Sequence, residues 1–205
     1  DQAVFGGYVQ AGQSCVSTQR IFVHEDVVDA FTERLAAATR ELVVGDPLDE
    51  AVDVSAVINE GEAVRVEKWI TEAVAGGARL VVGGDRSGAV VSPTILRDVD
   101  RTAKIQCQEV FGPVVTVNTF TDFGEAIAAA NDSDFGLNAG VFTTNLQHAL
   151  RAIDELEFGS VYINDVPTVR ADQQPYGGVK ESGNTREGPR FAMEEMTELK
   201  FVTMR

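Results

Sequence analysis

Apolar positions along the chain follow two different spacings. Runs rich in β-branched residues, typical of buried strands, alternate with stretches in which apolar residues recur every three to four positions, as on one helix face. The strand-like runs are QRIFV, ARLVVGG, VVSPTIL, VVTVNTF, NAGVFT and GSVYIN. The helical stretches lie at 27–42, 63–74, 123–130 and 146–153. The pattern therefore predicts strands and helices in alternation.

The turn residues between these elements are consistent with one α/β domain. VGDP follows the first helical stretch, Gly76-Gly77 ends the second, and GGDRSG forms a turn between two strand-like runs. Parallel strands need long crossover connections, which helices of this length supply. We therefore predict a three-layer α/β/α fold with a mostly parallel sheet. No internal repeat and no Pro- or Ser-rich linker divides the 205 residues.

Composition excludes several classes of function. With 44% hydrophobic residues the chain is long enough to bury a large core. No apolar run approaches the roughly 20 residues of a membrane helix. The 32 acidic and 17 basic residues give a net charge of -15, which disfavours nucleic acid and anionic lipid as partners. Two distant cysteines and two histidines form no disulfide framework and no metal-ligand spacing, so we expect a cytoplasmic protein without a metal.

Cys15 lies in the polar turn Gly12-Gln13-Ser14-Cys15, just before the strand-like run QRIFV. Glycine allows a close backbone turn, and a thiol near backbone N–H groups is favoured as a thiolate that attacks carbonyl carbons. A cysteine that only fills space at a turn fits the tetrapeptide equally well.

The segment QEVFGPVV places Glu109 and Phe111 on either side of Val110. In extended backbone both would point to the same face, so that a carboxylate and an aromatic ring address one ligand. The alternative is a surface glutamate beside a core phenylalanine. A third candidate is the long polar stretch 163–188, since loops of this length in compact domains are usually functional; it also fits a solvated connection.

Taken in order, GQSC, EVFGPV, FGLNAGVFT, YIND and PYGGVKESGNTREG resemble the C-terminal half of the aldehyde dehydrogenase superfamily. The resemblance covers nearly the whole chain and implies that residues 1–205 are a portion of the catalytic domain. It implies that Cys15 is the catalytic cysteine, that Glu109 holds the nicotinamide ribose and that Phe111 packs beside the nicotinamide. Ser17 departs from the commonest form of the cysteine motif, which bears on the subfamily.

The same resemblance implies that Asn164 and Tyr176 line the substrate channel. Arg170 lies in that channel loop, where a guanidinium would receive a carboxylate, phosphate or sulfonate in bidentate fashion. A solvent-facing arginine is the alternative. The form NDVPTVR…PYGGVKESG is similar to that of family members acting on small polar or semialdehyde substrates.

The implied reaction is the oxidation of an aldehyde to a carboxylic acid, with NAD or NADP as cofactor. It passes through a thiohemiacetal and a thioester on the cysteine. The family's N-terminal dinucleotide-binding domain, oxyanion asparagine and glutamate general base are expected outside this chain, which shows no strand-linked G-x-G-x-x-G. We therefore expect the fragment alone to oxidise no aldehyde.

The alternating sequence ELKFVTM predicts an edge strand within 197–205 that pairs with another subunit. The resemblance implies a homodimer or homotetramer held partly by this strand. Two other readings stay open. One is a cysteine-dependent acyl-transfer or redox protein without nicotinamide, and the other is an assembly module.

Overall fold

Helices and strands alternate along the chain in the computed structural model, which describes residues 1–205. The helices are α1 (Gln2–Tyr8), α2 (Val28–Arg40), α3 (Glu60–Ala75), α4 (Lys104–Cys107), α5 (Phe123–Asn131), α6 (Leu146–Glu155) and α7 (Pro189–Glu195). The strands are β1 (Arg20–His24), β2 (Arg79–Val82), β3 (Arg86–Ser87), β4 (Val90–Val91), β5 (Thr94–Arg97), β6 (Val114–Phe120), β7 (Phe135–Gly136), β8 (Asn138–Val141), β9 (Ser160–Ile163) and β10 (Val179–Lys180).

The central sheet is mostly parallel, as predicted. Its order is β1-β6-β5-β2, with β1 and β5 parallel to β6 and β2 antiparallel at one edge. A second parallel pair joins β8 to β9, and β3–β4 and β7–β10 form short antiparallel pairs. The antiparallel edge strand is common in doubly wound sheets and leaves the fold class unchanged.

Helices cover both faces of β6. Neighbouring residues in a strand point to opposite faces, so Val115 and Thr116 mark the two sides. On one side α1 packs so closely that a Cβ on Gly7 would lie 2.5 Å from Cγ1 of Val115. On the other side Oγ1 of Thr116 donates to Oε1 of Gln106 in α4, at 2.7 Å. The layers are therefore helix, sheet and helix.

The core lies along the two central strands and explains where the helical stripes point. Its buried members include Ile95, Leu96, Val114, Val115 and Val117 from the sheet and Ala63, Val66, Ile70 and Ala73 from α3. The α3 residues recur at helical spacing and form one face. This packed platform fixes the ends of β1 and β6, and the segments carrying Cys15 and Glu109 enter those strands. Because β1 and β6 are parallel neighbours, both segments lie at the same end of the sheet, where these two strands begin.

Three local predictions differ from the structure. The run VVSPTIL is two strands, β4 and β5, because Pro93 interrupts it and lacks a backbone donor. The turn GGDRSG contains β3, which pairs with β4. The first helix ends at Arg40, so Leu42 lies beyond it.

Residues 197–205 have no regular secondary structure and pair with no strand of this chain. Leu199 and Phe201 within them are fully exposed. The strand pairing with a second subunit therefore stays a prediction. Separately, none of the helices combines the length and the apolar character needed to cross a membrane.

Candidate active site

The turn that carries Cys15 is wound through left-handed backbone. Residues 10–12 have φ angles of 54°, 55° and 71°, and only the last of them is glycine. The N–H of Ser17 then donates to the carbonyl of Ser14 at 2.9 Å, which closes a turn around Cys15. The cysteine side chain is exposed, and its own N–H donates to no group of the chain. The turn thus presents both a thiol and a free backbone donor.

Two hydroxyl groups fix this turn to its neighbours. Oγ of Ser17 donates to the carbonyl of Gly6 in α1 at 3.2 Å. Oγ1 of Thr168, in the long polar stretch, donates to the carbonyl of Val16 at 3.1 Å. Thr168 lies within the motif NDVPTVR but was not singled out in the sequence, and Ser17 stood out only as a departure from the cysteine motif. Their anchoring contacts are therefore additions from the structure.

The GQSC turn lies directly against the EVFGPV segment. A Cβ built on Gly12 would overlap the carbonyl oxygen of Gly112, so only glycine fits between the two backbones. The positive φ of Gly12 makes the same demand. The two motifs, separated by about half the chain, are thus in backbone contact.

Hydrogen bonds from two half-buried side chains, Gln19 and Arg65, hold the EVFGPV segment in place. Nε2 of Gln19 donates to the carbonyl of Gln108 at 2.7 Å and to that of Ile105 at 3.1 Å, while its Oε1 accepts from the N–H of Val110 at 2.9 Å. Nη2 of Arg65 donates to the carbonyl of Val110 at 2.6 Å. Sequence reasoning missed Gln19, because its role depends on the pairing of β1 with β6.

Glu109 and Phe111 are exposed on either side of Val110, which is 1% exposed. The segment is not a strand, and Phe111 has a φ of 49°. The prediction of an extended backbone over residues 109–111 is therefore wrong. Phe111 is 42% exposed, so it is not a core residue. The carboxylate of Glu109 and the exposed ring of Phe111 thus lie two positions apart in the sequence, at the end of the sheet where Cys15 lies.

Tyr176 reaches Cys15 from the long polar stretch. Its Oη lies 2.8 Å from Sγ of Cys15, and the tyrosine is 8% exposed. The guanidinium carbon of Arg170 lies 4.3 Å from the centroid of the Tyr176 ring, and Nη2 of Arg170 donates to Glu187 at 2.8 Å. Burial, and then the contact with Cys15, raise the pKa of Tyr176 well above its usual value. Glu187, which the sequence did not single out, is the acidic partner of this cluster.

Asn164 occupies a left-handed position at the end of β9, with a φ of 62°. Its amide oxygen accepts from the N–H of Thr143 at 2.8 Å, and its own N–H donates to the carbonyl of Val141 at 2.7 Å. Asn164 thus joins the end of β9 to the end of β8 and the residues that follow it, so its side chain has a structural role. Its place in a substrate channel stays a prediction, whereas Tyr176 and Arg170 do gather at the cysteine.

Comparison with known proteins identifies relatives across the chain. The model of the aldehyde dehydrogenase family matches residues 1–202. A 3-sulfolactaldehyde dehydrogenase from Priestia aryabhattai is 48% identical over 194 residues, which are 95% of this chain and 41% of that protein. The chain therefore spans about two fifths of the length of the curated relatives it matches.

Two solved structures share the fold closely. Aldehyde dehydrogenase 21 from Physcomitrella patens, in complex with the reaction product succinate, matches with a TM-score of 0.97 and 42% identity, over 100% of this chain and 42% of that one. Glyceraldehyde-3-phosphate dehydrogenase from Methanocaldococcus jannaschii, complexed with NADP, matches with a TM-score of 0.94 and 40% identity, over 97% and 43%. The α/β prediction and the resemblance read from the motifs are both confirmed.

Proposed function

The chain belongs to the aldehyde dehydrogenase family, and from that premise we propose that it supplies the nucleophile for NAD- or NADP-dependent oxidation of an aldehyde to a carboxylic acid. The observation that carries this proposal is the backbone contact between the Cys15 turn and the Glu109–Phe111 segment, made at Gly12 and Gly112. It places the exposed thiol of Cys15 and the exposed side chains of Glu109 and Phe111 at one end of the sheet, and the last two have the chemistry to bind a nicotinamide cofactor. Nothing in this arrangement favours acyl transfer, redox sensing or assembly as the main role.

The side chains present fit a nicotinamide riboside by their chemistry. The exposed carboxylate of Glu109 is an acceptor for paired ribose hydroxyls, and the exposed ring of Phe111 offers an apolar face. Gln19 and Arg65 hold the backbone between them, so both side chains project from a fixed segment. When bound, an oxidised nicotinamide supplies the hydride acceptor of the reaction.

In the proposed mechanism the Cys15 thiolate attacks the aldehyde carbon. A sulfur–carbon bond forms, and the carbonyl electron pair moves onto the oxygen. The N–H of Cys15, which has no acceptor in the chain, is available to donate to that oxyanion. The oxyanion then reforms the carbonyl as hydride leaves the carbon, which gives a thioester on Cys15. A general base takes one proton from a water molecule, whose oxygen attacks the thioester carbon; the carbon–sulfur bond then breaks and releases the carboxylic acid and the thiolate.

The remaining parts of this mechanism belong to the proposal as well. A dinucleotide-binding domain, an oxyanion asparagine and a glutamate general base, as the resemblance implies, would come from the rest of a longer protein. The coverage of 41% of the Priestia relative supports this reading. We also propose assembly as a homodimer or homotetramer, for which the exposed apolar segment 197–205 is the support.

Arg170 points to the class of aldehyde. Its guanidinium stacks on Tyr176, whose hydroxyl contacts the nucleophile, and its contact with Glu187 leaves other N–H donors free. The Priestia relative is named for an aldehyde with a sulfonate, and the Physcomitrella structure holds succinate, a dicarboxylate. The proposed substrate is therefore a small aldehyde, such as a semialdehyde, with an anionic group that Arg170 binds.

The test of the function uses the full-length protein with NAD or NADP and a panel of anionic and neutral aldehydes. We expect the absorbance of reduced cofactor to rise with an anionic aldehyde. A protein of the acyl-transfer, redox or assembly kind gives no reduced cofactor with any aldehyde, and that result would refute the proposal.

Arg170→Gln should raise the KM for an anionic aldehyde by about ten- to a hundredfold, since a hydrogen bond to a charged group contributes about 1.5–3 kcal/mol. The KM for a neutral aldehyde of similar size should stay within about twofold, because no charge pair is lost. Arg190→Gln is the matched control, because Arg190 is exposed and contacts Glu194 one turn further along α7. An equal loss for both aldehydes would mean that Arg170 supports the fold and does not bind the anion.

Glu109→Gln should lower the rate of hydride transfer by about tenfold, because a neutral amide holds the ribose hydroxyls less well and alignment suffers. Thioester hydrolysis does not use that alignment. A C1-deuterated aldehyde should therefore show a larger isotope effect in the variant than in the wild type. Glu50→Gln, at an exposed turn, is the control and should change neither quantity. An unchanged rate and isotope effect for Glu109→Gln would remove this residue from the site.

A further inference from the structure

The hydroxyl of Tyr176 is the polar group of this chain that hydrogen-bonds to Sγ of Cys15. The two atoms are 2.8 Å apart, although the residues are separated by 161 positions. Heavy-atom geometry alone allows either atom to donate. The direction of the bond decides what the tyrosine does to the nucleophile.

The environment of Tyr176 keeps its proton on the oxygen. Burial is the largest effect on its pKa and raises it, and the Cys15 contact raises it further. Of the other charged neighbours, Arg170 above the ring lowers the pKa and Glu187 raises it. The pKa of Tyr176 thus lies well above its usual value. A thiol ordinarily ionises at a lower pH than a phenol, so of these two groups the phenol is the one that keeps its proton. When Cys15 is a thiolate, only the tyrosine can donate.

The donor is also held rigidly. Tyr176 and Glu187 exchange two backbone hydrogen bonds, at 3.0 and 2.6 Å. Arg170 stacks on the ring of Tyr176 and donates a hydrogen bond to Glu187. The ring is therefore held through both its backbone and its face. The hydroxyl is therefore already positioned at the sulfur before substrate binds.

We infer that Tyr176 is a catalytic residue whose hydroxyl donates a hydrogen bond to the Cys15 thiolate and restrains it until the aldehyde is attacked. A donor to a thiolate increases the ionised population, and it also lowers the reactivity of the sulfur that is ionised. As the sulfur–carbon bond forms, negative charge leaves the sulfur for the aldehyde oxygen, and this hydrogen bond weakens. The inference rests on the proposed function only in taking Cys15 as the nucleophile.

The test is the rate of alkylation of Cys15 by iodoacetamide as a function of pH, in the full-length protein without cofactor. Tryptic digestion and mass spectrometry follow the peptide ending at Arg20, so that Cys107, between Lys104 and Arg151, is read separately. Tyr176→Phe keeps the ring and removes only the hydroxyl. We expect the variant to react about threefold more slowly at a pH on the acidic limb of the profile, where the rate follows the ionised fraction that the donor sustains. At a pH on the alkaline plateau, where the rate follows the reactivity of the thiolate itself, we expect it to react about threefold faster.

The crossing of the two profiles is the signature of a hydrogen-bond donor. Identical profiles, or a change of the same sign at both pH values, would overturn the inference, because loss of steric cover accelerates the reaction throughout. Tyr162→Phe is the matched control, since no hydrogen bond joins Tyr162 to Cys15, and it should leave both limbs unchanged. A crossing in this control would equally overturn the inference.

A second variant covers the case in which Tyr176→Phe folds poorly. Replacing Tyr176 with 3-fluorotyrosine keeps the hydroxyl and makes it a stronger donor, so the rates should move in the opposite direction at both pH values. Aldehyde oxidation is measured separately on the same proteins. Reduced cofactor without a crossing would refute the role of Tyr176 alone, whereas a crossing in a protein that oxidises no aldehyde would refute the proposed function alone.

Discussion

Replacing Cys15 by serine is expected to lower the rate of aldehyde oxidation on the order of 10⁴-fold or more, the scale seen when a covalent nucleophile is removed. A serine hydroxyl is almost entirely protonated near neutral pH, so neither the hemiacetal adduct nor the ester that replaces the thioester forms at a useful rate. The serine can still hydrogen-bond to Tyr176, so the fold should persist. The measurement is the steady-state production of reduced cofactor, with cofactor binding followed in parallel by fluorescence.

The other cysteine provides the control for this experiment. Cys107 is also exposed, but its Sγ lies 3.6 Å from the carbonyl of Thr102 within its own segment. Cys107→Ser should therefore retain wild-type turnover. We expect cofactor affinity to stay within about threefold in Cys15→Ser, because Glu109 and Phe111 are untouched. Wild-type turnover in Cys15→Ser, or the loss of turnover only in Cys107→Ser, would show that the nucleophile has been misassigned.

Gly12→Ala should lower the free energy of unfolding by about 3 kcal/mol, since a positive φ costs an alanine about 1–2 kcal/mol and overpacking adds about 1–3 kcal/mol. The methyl group would overlap the carbonyl oxygen of Gly112 and push the Cys15 turn away from the Glu109–Phe111 segment. A displacement of this kind costs about a hundredfold in rate when two reacting groups must align. Denaturant unfolding and steady-state turnover measure the two effects.

Gly88→Ala separates crowding from backbone strain. Gly88 has a φ of 58°, yet a Cβ there would meet nothing within 4 Å. The substitution should cost only about 1–2 kcal/mol of the free energy of unfolding and leave turnover unchanged. If Gly12→Ala is no worse than Gly88→Ala in stability and in rate, the tight contact between the two motifs does not matter to the site.

The apolar pattern was sufficient for the elements with strong periodicity. The stripe along α3 is buried on one face of the helix, and the β-branched run of β6 is buried on both faces of the sheet. Burial therefore accounts for both patterns. The pattern failed where backbone chemistry overrides it. Pro93 splits an apolar run into β4 and β5, and the short pairing of β3 with β4 has too few residues to show a period.

The site could be predicted only as far as the motifs carry it. Cys15, Tyr176 and Arg170 were selected from motifs and do gather, yet no periodicity reports a contact across 161 residues. The left-handed φ of Phe111 could not be predicted from the sequence, because phenylalanine rarely adopts that conformation. The hydrogen bonds of Gln19 to the EVFGPV segment and of Asn164 to Thr143 depend on neighbouring strands, so they become visible only in the folded chain.

The most direct test of the central claim is to trap the covalent intermediate on Cys15. The full-length protein is mixed with an anionic aldehyde and oxidised cofactor, quenched in acid within milliseconds to seconds, digested and examined by mass spectrometry. The account predicts that the peptide ending at Arg20 gains the mass of the aldehyde less two hydrogen atoms, and only when oxidised cofactor is present. Reduced cofactor formed while that peptide stays unmodified and an acyl group appears on Cys107 or another residue would contradict it.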